Sequence, residues 1–213
     1  MPATPADWSP VLRAYVAERE REFDRITPER RDQLAELAAY VAETRAKGQR
    51  TGLTFVCTHN SRRSHMSQLW AAVAAERYGQ AHIRTYSGGT EATAFNPRAV
   101  AALERAGLDI DRTTDDTNPI YHVRTHVHAN PMTCFSKIYD QAPNPTAAFA
   151  AIMVCNSADE ACPMVPGADR RFGITYVDPK AHDNTPKEAA AYDERCAQIA
   201  RELLFTMRLA AER

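Results

Sequence analysis

From Thr51 onward, short apolar runs alternate with amphipathic stretches, and that alternation leaves few folds open. Leu53-Thr54-Phe55-Val56 reads as a short apolar strand. A polar loop follows, and then Met66, Leu69, Trp70 and Val73 fall on one face of a helix. Ile83–Tyr86 reads as a second strand, and Asn96-Pro97 opens a helix with Val100 and Leu103 inward that ends near Gly107. Ala150–Val154 is a continuous apolar run, the signature of a strand covered on both faces. Ile174–Val177 reads as a fourth strand, and a last helix from about Pro186 carries Tyr192, Cys196, Ile199 and Leu203 on one stripe. Strands alternating with helices predict an α/β fold: a four-stranded parallel sheet with helices on both faces.

Two segments break the rhythm. In residues 1–50, Ser9-Pro10 and Thr27-Pro28-Glu29 each signal a helix start, and Leu34, Leu37, Ala38 and Val41 form an apolar stripe closed by Gly48. This predicts an N-terminal helical hairpin, a scaffold or an oligomer contact, ahead of a catalytic domain over residues 51–213. In residues 115–148, Tyr121, Val123, Thr125 and Val127 alternate with His122, Arg124, His126 and His128, a half-exposed strand that Thr133–Tyr139 pairs with as an inserted β-hairpin. The stretch around Pro143 and Pro145 returns the chain to the sheet.

The chemistry concentrates in Cys57-Thr58-His59-Asn60-Ser61-Arg62-Arg63-Ser64, between a buried strand and a helix. A helix N-terminus offers unpaired N–H groups and the positive end of the dipole, a site for an oxyanion. A thiol at that mouth is pushed toward thiolate. Arg63, six residues on, returns to the same pocket, where its planar fork suits two oxygens of a tetrahedral anion. Ser64 is placed to donate to the thiolate, and Asn60 to pin the loop. The plainer alternative is a buried cysteine at a strand end followed by an exposed basic turn. His59 either tunes the thiolate or faces solvent, and Arg62 either adds positive potential or points outward.

Asp178-Pro179 follows the fourth expected strand, at the carboxyl edge where open parallel sheets bind ligands. It reads as a source of an acid for a leaving oxygen, or as an ordinary Asp-Pro turn. Cys155 ends the third expected strand at the same edge, and Cys162 follows seven residues later. The two are either a redox pair or unrelated core residues. A regular helix between them would hold their Cα atoms beyond the ~7 Å a disulfide tolerates, so pairing requires the segment to loop out. His126 and His128 share a strand face near Cys134, too few ligands for a metal site, so no metal is expected. Cys196 lies on the apolar stripe of the last helix and reads as core.

The 213 residues carry a formal net charge of −1, which gives no global field for nucleic acid or an anionic membrane. No apolar run approaches the ~20 residues of a membrane span, and the first ten residues lack the pattern of a signal peptide. A cytoplasmic enzyme is expected, in which the five cysteines stay reduced and act structurally or catalytically.

With these residues in view, positions 51–205 resemble the low-molecular-weight protein tyrosine phosphatase superfamily, and within it the thioredoxin-coupled arsenate reductases. The resemblance rests on Phe55–Ser64, Tyr86-Ser87-Gly88-Gly89-Thr90-Glu91, Asn96-Pro97-Arg98-Ala99-Val100 with Gly107-Leu108-Asp109-Ile110, Cys155…Cys162-Pro163, and Asp178-Pro179. It implies that Thr58, His59, Asn60, Ser61, Arg62, Arg63 and Ser64 bind an oxyanion that Cys57 attacks, with Asp178 protonating the departing oxygen. A relay through Cys155 and then Cys162 would deliver a disulfide to thioredoxin, with no tightly bound cofactor. In the phosphatase branch, water instead hydrolyses a Cys57–phosphate intermediate formed from phosphotyrosine or another phosphomonoester. A third possibility is a non-catalytic oxyanion- or redox-sensing module. The sequence departs from the family at His59 (usually glycine), at Arg62 (often cysteine in the reductases), and at Gln68, where a glutamate often stands near a bound potassium ion. Lys180-Ala181-His182 replaces the aromatic pair of a phosphotyrosine groove.

Overall fold

The computed structural model describes residue 5, residues 7–161 and residues 164–213. Its centre is a parallel sheet of β1 (Thr51–Cys57), β2 (Ile83–Gly89), β6 (Phe149–Met153) and β7 (Ala168–Gly173) in the order β2-β1-β6-β7. Every residue of β1 and β6 is buried, as an apolar run without alternation requires. The register sets Cys57 beside Gly89 and Val56 beside Met153, so the carboxyl ends of the three strands β2, β1 and β6 converge.

Helix α3 (Arg63–Arg77) packs on β1 and β2, and α6 (Glu188–Glu212) packs on α3. Helix α4 (Pro97–Arg105) joins α6, while the short α5 (Asn156–Ala161) lies against β1 and β6. The inserted segment covers part of the sheet. A Cβ on Gly88 would fall 2.3 Å from the Tyr139 Cα, so only glycine admits this close approach.

The N-terminal segment forms α1 (Pro10–Arg21) and α2 (Pro28–Ala46), with the Ser9 and Thr27 hydroxyls accepting from Leu12 N and Arg30 N. Both helices pack on α6, and Leu12, Val16, Leu34, Leu37 and Val41 share one continuous core with the sheet.

The fourth strand lies earlier than the sequence suggests: Ala-Asp-Arg-Arg-Phe-Gly at 168–173 forms it, despite its polarity. An edge strand has one solvent-facing side and tolerates such charges. Ile174 and Tyr176 continue along β6 by donating to Met153 O and Val154 O, so the apolar run at 174–177 extends the strand's track toward Asp178.

The expected hairpin also differs. The strand that begins at Tyr121 ends at Arg124 as β4 (Tyr121–Arg124), and residues 125–128 turn away. It pairs with β5 (Met132–Cys134) on one side and with β3 (Asp109–Arg112) on the other, a three-stranded antiparallel sheet. Residues 135–139 instead run to the Cys57 loop. The last helix begins at Glu188, two residues after Pro186. Among the described residues, no helix is long and apolar enough to cross a membrane.

Candidate active site

Cys57 closes β1, and residues 58–62 form the turn into α3. Asn60 adopts φ 43°, a left-handed conformation that a short polar side chain tolerates. Four carbonyls here are engaged by neighbouring segments. Cys57 O accepts from Thr90 N, Thr58 O from Glu91 N, and Ser61 O from Asn96 N. The His59 carbonyl accepts from the hydroxyls of Thr93 and Ser136, each at 3.0 Å. The amides of residues 58–62 donate to no backbone carbonyl among the described residues. Free N–H groups at the start of a helix are of the kind that an oxyanion accepts from. Gly89 permits this wrapping, since a Cβ there would sit 2.7 Å from Asn60 N.

A buried hydrogen-bond chain ends on the thiol. Lys137 N donates to Asn60 Oδ1 (2.9 Å), Asn60 Nδ2 donates to Ser64 Oγ (2.9 Å), and Ser64 Oγ lies 3.1 Å from Cys57 Sγ. The sequence suggests that Asn60 pins its own loop; it instead ties the loop to Ser64 and to the insertion.

Arg63 reaches the far side of the turn. Its Nη1 donates to Tyr176 O (2.9 Å) and its Nη2 to Asp178 Oδ2 (2.8 Å), while its buried Nε has no partner among the described residues. Asp178 also caps the 3₁₀ turn Pro179–His182, accepting from Lys180 N through Oδ1. Arg62 is turned inward rather than toward solvent. Its Nε donates to the Tyr192 hydroxyl (2.9 Å), and its guanidinium lies 3.9 Å from Asp178 and 3.8 Å from Asp183. Burial, with Asp183 beside it, pushes the Tyr192 phenol up to about 12. His59 is half exposed, 3.7 Å from Glu91.

Cys155 lies just past β6, buried at the same sheet edge. Its Sγ is 3.6 Å from Thr58 Oγ1 and accepts from Ala158 N in the first turn of α5. Cys162 lies outside the described residues. Residues 156–161 are helical, so pairing of Cys155 with Cys162 requires this helix to open. Among the described residues, no cluster of three His, Cys, Asp or Glu could hold a metal. A groove of about 550 Å3 lined by Ala72, Glu76, Ile83 and Arg84 opens at the start of β2, the opposite end of the sheet from this chemistry. Cys196 is core, accepting from Trp70 Nε1 at 3.2 Å.

Residues 52–120 match the family model described as low molecular weight phosphotyrosine protein phosphatase. An arsenate reductase of Bacillus subtilis (strain 168) is 30% identical over 141 residues, 66% of this chain and 83% of that protein. An arsenate reductase of Bacillus licheniformis is 31% identical over 143 residues, with the same coverages. The chain belongs to the family of low-molecular-weight phosphatases and arsenate reductases. The crystal structure of a low-molecular-weight protein tyrosine phosphatase from T. tengcongensis shares the fold, with TM-score 0.50 and 17% identity over 74% of this chain and 98% of that one.

In this family member, sequence reasoning missed several residues that shape the loop. His65 is fully buried, stacks on Phe95 at 4.0 Å, and bonds Ser87 Oγ through Nδ1 (3.1 Å). Burial holds its pKa well below the usual imidazole range, so it is neutral. Ser136 and Lys137 come from the insertion, and nothing in their local sequence marks them as buried. Gln68 donates to Thr85 O at 3.3 Å.

Proposed function

We propose that this protein is a cytoplasmic arsenate reductase. Its substrate oxyanion would lie on the amides of residues 58–62, with Arg63 Nε among its donors. Cys57 thiolate attacks arsenic, and an oxygen leaves as water or hydroxide, with Asp178 supplying the proton. The Cys155 thiolate then attacks Cys57 Sγ. The sulfur–arsenic bond breaks with its electron pair on arsenic, so arsenic(V) leaves as arsenite and Cys57–Cys155 becomes a disulfide. Cys162 attacks Cys155 and frees the Cys57 thiolate. A thioredoxin dithiol reduces Cys155–Cys162, so no resident cofactor is required.

The observation that carries this reading is the Cys155 sulfur against Thr58, at the carboxyl edge where Cys57 ends the neighbouring strand. A phosphatase would need only Cys57, Arg63 and Asp178, because water resolves its intermediate. We expect arsenite release to depend on thioredoxin, thioredoxin reductase and NADPH, to vanish in Cys57→Ser, and to lose multiple turnover in Cys155→Ala. Unchanged multiple turnover in both Cys155→Ala and Cys162→Ala would leave hydrolysis of a phosphomonoester as the reading.

A further inference from the structure

The catalytic edge is braced from outside the matched region by Arg30, the third residue of α2. Its Nη2 donates to Thr175 O at 2.5 Å, its Nη1 to Gln33 Oε1 at 2.8 Å, and its Nε lies 3.4 Å from the buried Glu202 of α6. Its guanidinium carbon sits 5.4 Å from the centre of the Tyr176 ring. Thr175 and Tyr176 lie on the run after β7, just ahead of Val177 and Asp178. Tyr176 N donates inward to Val154 O, and Tyr176 O accepts from Arg63. Backbone groups of an extended chain alternate in direction, so the Thr175 carbonyl faces the open side of the edge strand. Arg30 occupies that side.

Residues 175 and 176 are thus held between two arginines, one from the N-terminal pair and one from the Cys57 loop. Arg63 holds Tyr176 O and Asp178 with the two prongs of one guanidinium, so a shift of the 175–176 backbone moves both contacts. We propose that the N-terminal helical pair serves the active site by bracing the acid loop: Arg30 is a positioning residue that fixes Thr175–Tyr176 and, through them, the placement of Asp178 and Arg63. This rests on the reading of Cys57 as nucleophile and Asp178 as acid. Three separate nitrogens of the guanidinium face Gln33, Thr175 and Glu202, whereas a lysine would have to reach all three acceptors from one nitrogen.

The test compares two aryl phosphates with Arg30→Met and Arg30→Lys. 4-Nitrophenolate leaves with little help, whereas the more basic phenolate of phenyl phosphate depends on the acid. We expect Arg30→Met to lower kcat/KM for phenyl phosphate ~10-fold and for 4-nitrophenyl phosphate ~2-fold, a fraction of the full worth of a general acid. Arg30→Lys should fall between, and serves alone if the methionine variant does not fold. A purely structural loss would scale both substrates together, so equal factors, or no change in either, would overturn the brace. That failure is separate from failure of the functional reading. If Cys57→Ser retains the turnover, the reading of Cys57 as nucleophile falls and takes this proposal with it, whereas the reductase reading itself stands or falls on arsenite release.

Discussion

The loop that carries Cys57 and the segment that carries Cys155 lie side by side at one sheet edge, held in opposite ways. The loop's carbonyls at Cys57, Thr58, His59 and Ser61 are each engaged by a neighbouring segment, and its side chains form a closed buried chain ending on the thiol. The Cys155 segment is a six-residue helix. It is latched to β7 by Arg171, whose Nη2 donates to both Asp159 O and Asp159 Oδ1 at 2.5 Å. The contrast matches the chemistry proposed for each. A site where charge develops gains from donors fixed in advance. A thiol that must meet a second sulfur has to travel, and a short helix opens locally at less than the cost of global unfolding.

The comparison breaks most directly at Ser64. Ser64→Ala removes the donor from Cys57 Sγ and leaves the buried Asn60 amide without its acceptor. An orphaned buried donor costs about 1–3 kcal/mol. We expect stability to fall by that amount, and turnover of 4-nitrophenyl phosphate to fall ~10–100-fold, reaching at most the lower bound of what one oxyanion donor is worth. Denaturant unfolding and steady-state kinetics check the two. Unchanged turnover would mean that the loop holds its shape without this chain, and that the two regions are alike after all.

The tether of the second segment sharpens the contrast. Arg171→Met keeps the aliphatic stem and removes the latch on Asp159. We expect thiol–disulfide exchange from Cys57–Cys155 to Cys155–Cys162 to run faster by a few fold, in line with the ~0.2–1 kcal/mol of a partly exposed ion pair. Rapid quench with alkylation and peptide mass spectrometry reads the rate. A slower exchange would show that the latch positions Cys155 for attack rather than delaying it.

How much of this was legible depends on whether the determinant is local. The Cys57 loop was readable because strand, turn, arginine and helix cap follow one another within eight residues, and the apolar alternation fixed which edge of the sheet they reach. Cys196 was readable as core from its helical stripe. The fourth strand was misplaced because an edge strand needs no apolar signature, whereas the run at 174–177 looked like one. The partners of Arg62, namely Tyr192, Asp178 and Asp183, were not legible because they are remote in sequence. His65, Ser136, Lys137 and Arg30 were silent for the same reason: each acts on a backbone or side chain that only the tertiary fold brings near.

Lys137 offers the smallest change in turnover and the finest division between scaffold and field. Its backbone amide holds Asn60, a contact any side chain would preserve, but its ammonium is buried, with the Phe135 carbonyl as acceptor at 3.3 Å. Burial pushes its pKa from 10.5 down to about 8. A lysine with a depressed folded pKa binds its proton more weakly folded than unfolded. Stability therefore rises with pH between about 8 and 10.5, and the penalty is fully present below 8. Lys137→Met keeps the apolar stem, so we expect it to stabilise the protein at pH 7 by roughly 1–2 kcal/mol, with the advantage shrinking toward pH 10. Urea unfolding at pH 7 and pH 9.5 measures the difference. If turnover stays within about two-fold, the insertion holds the loop through its backbone alone. If the variant is more stable yet turnover collapses, the buried charge contributes to the positive field beneath the anion site, and the fixed region is fixed electrostatically as well as by hydrogen bonds.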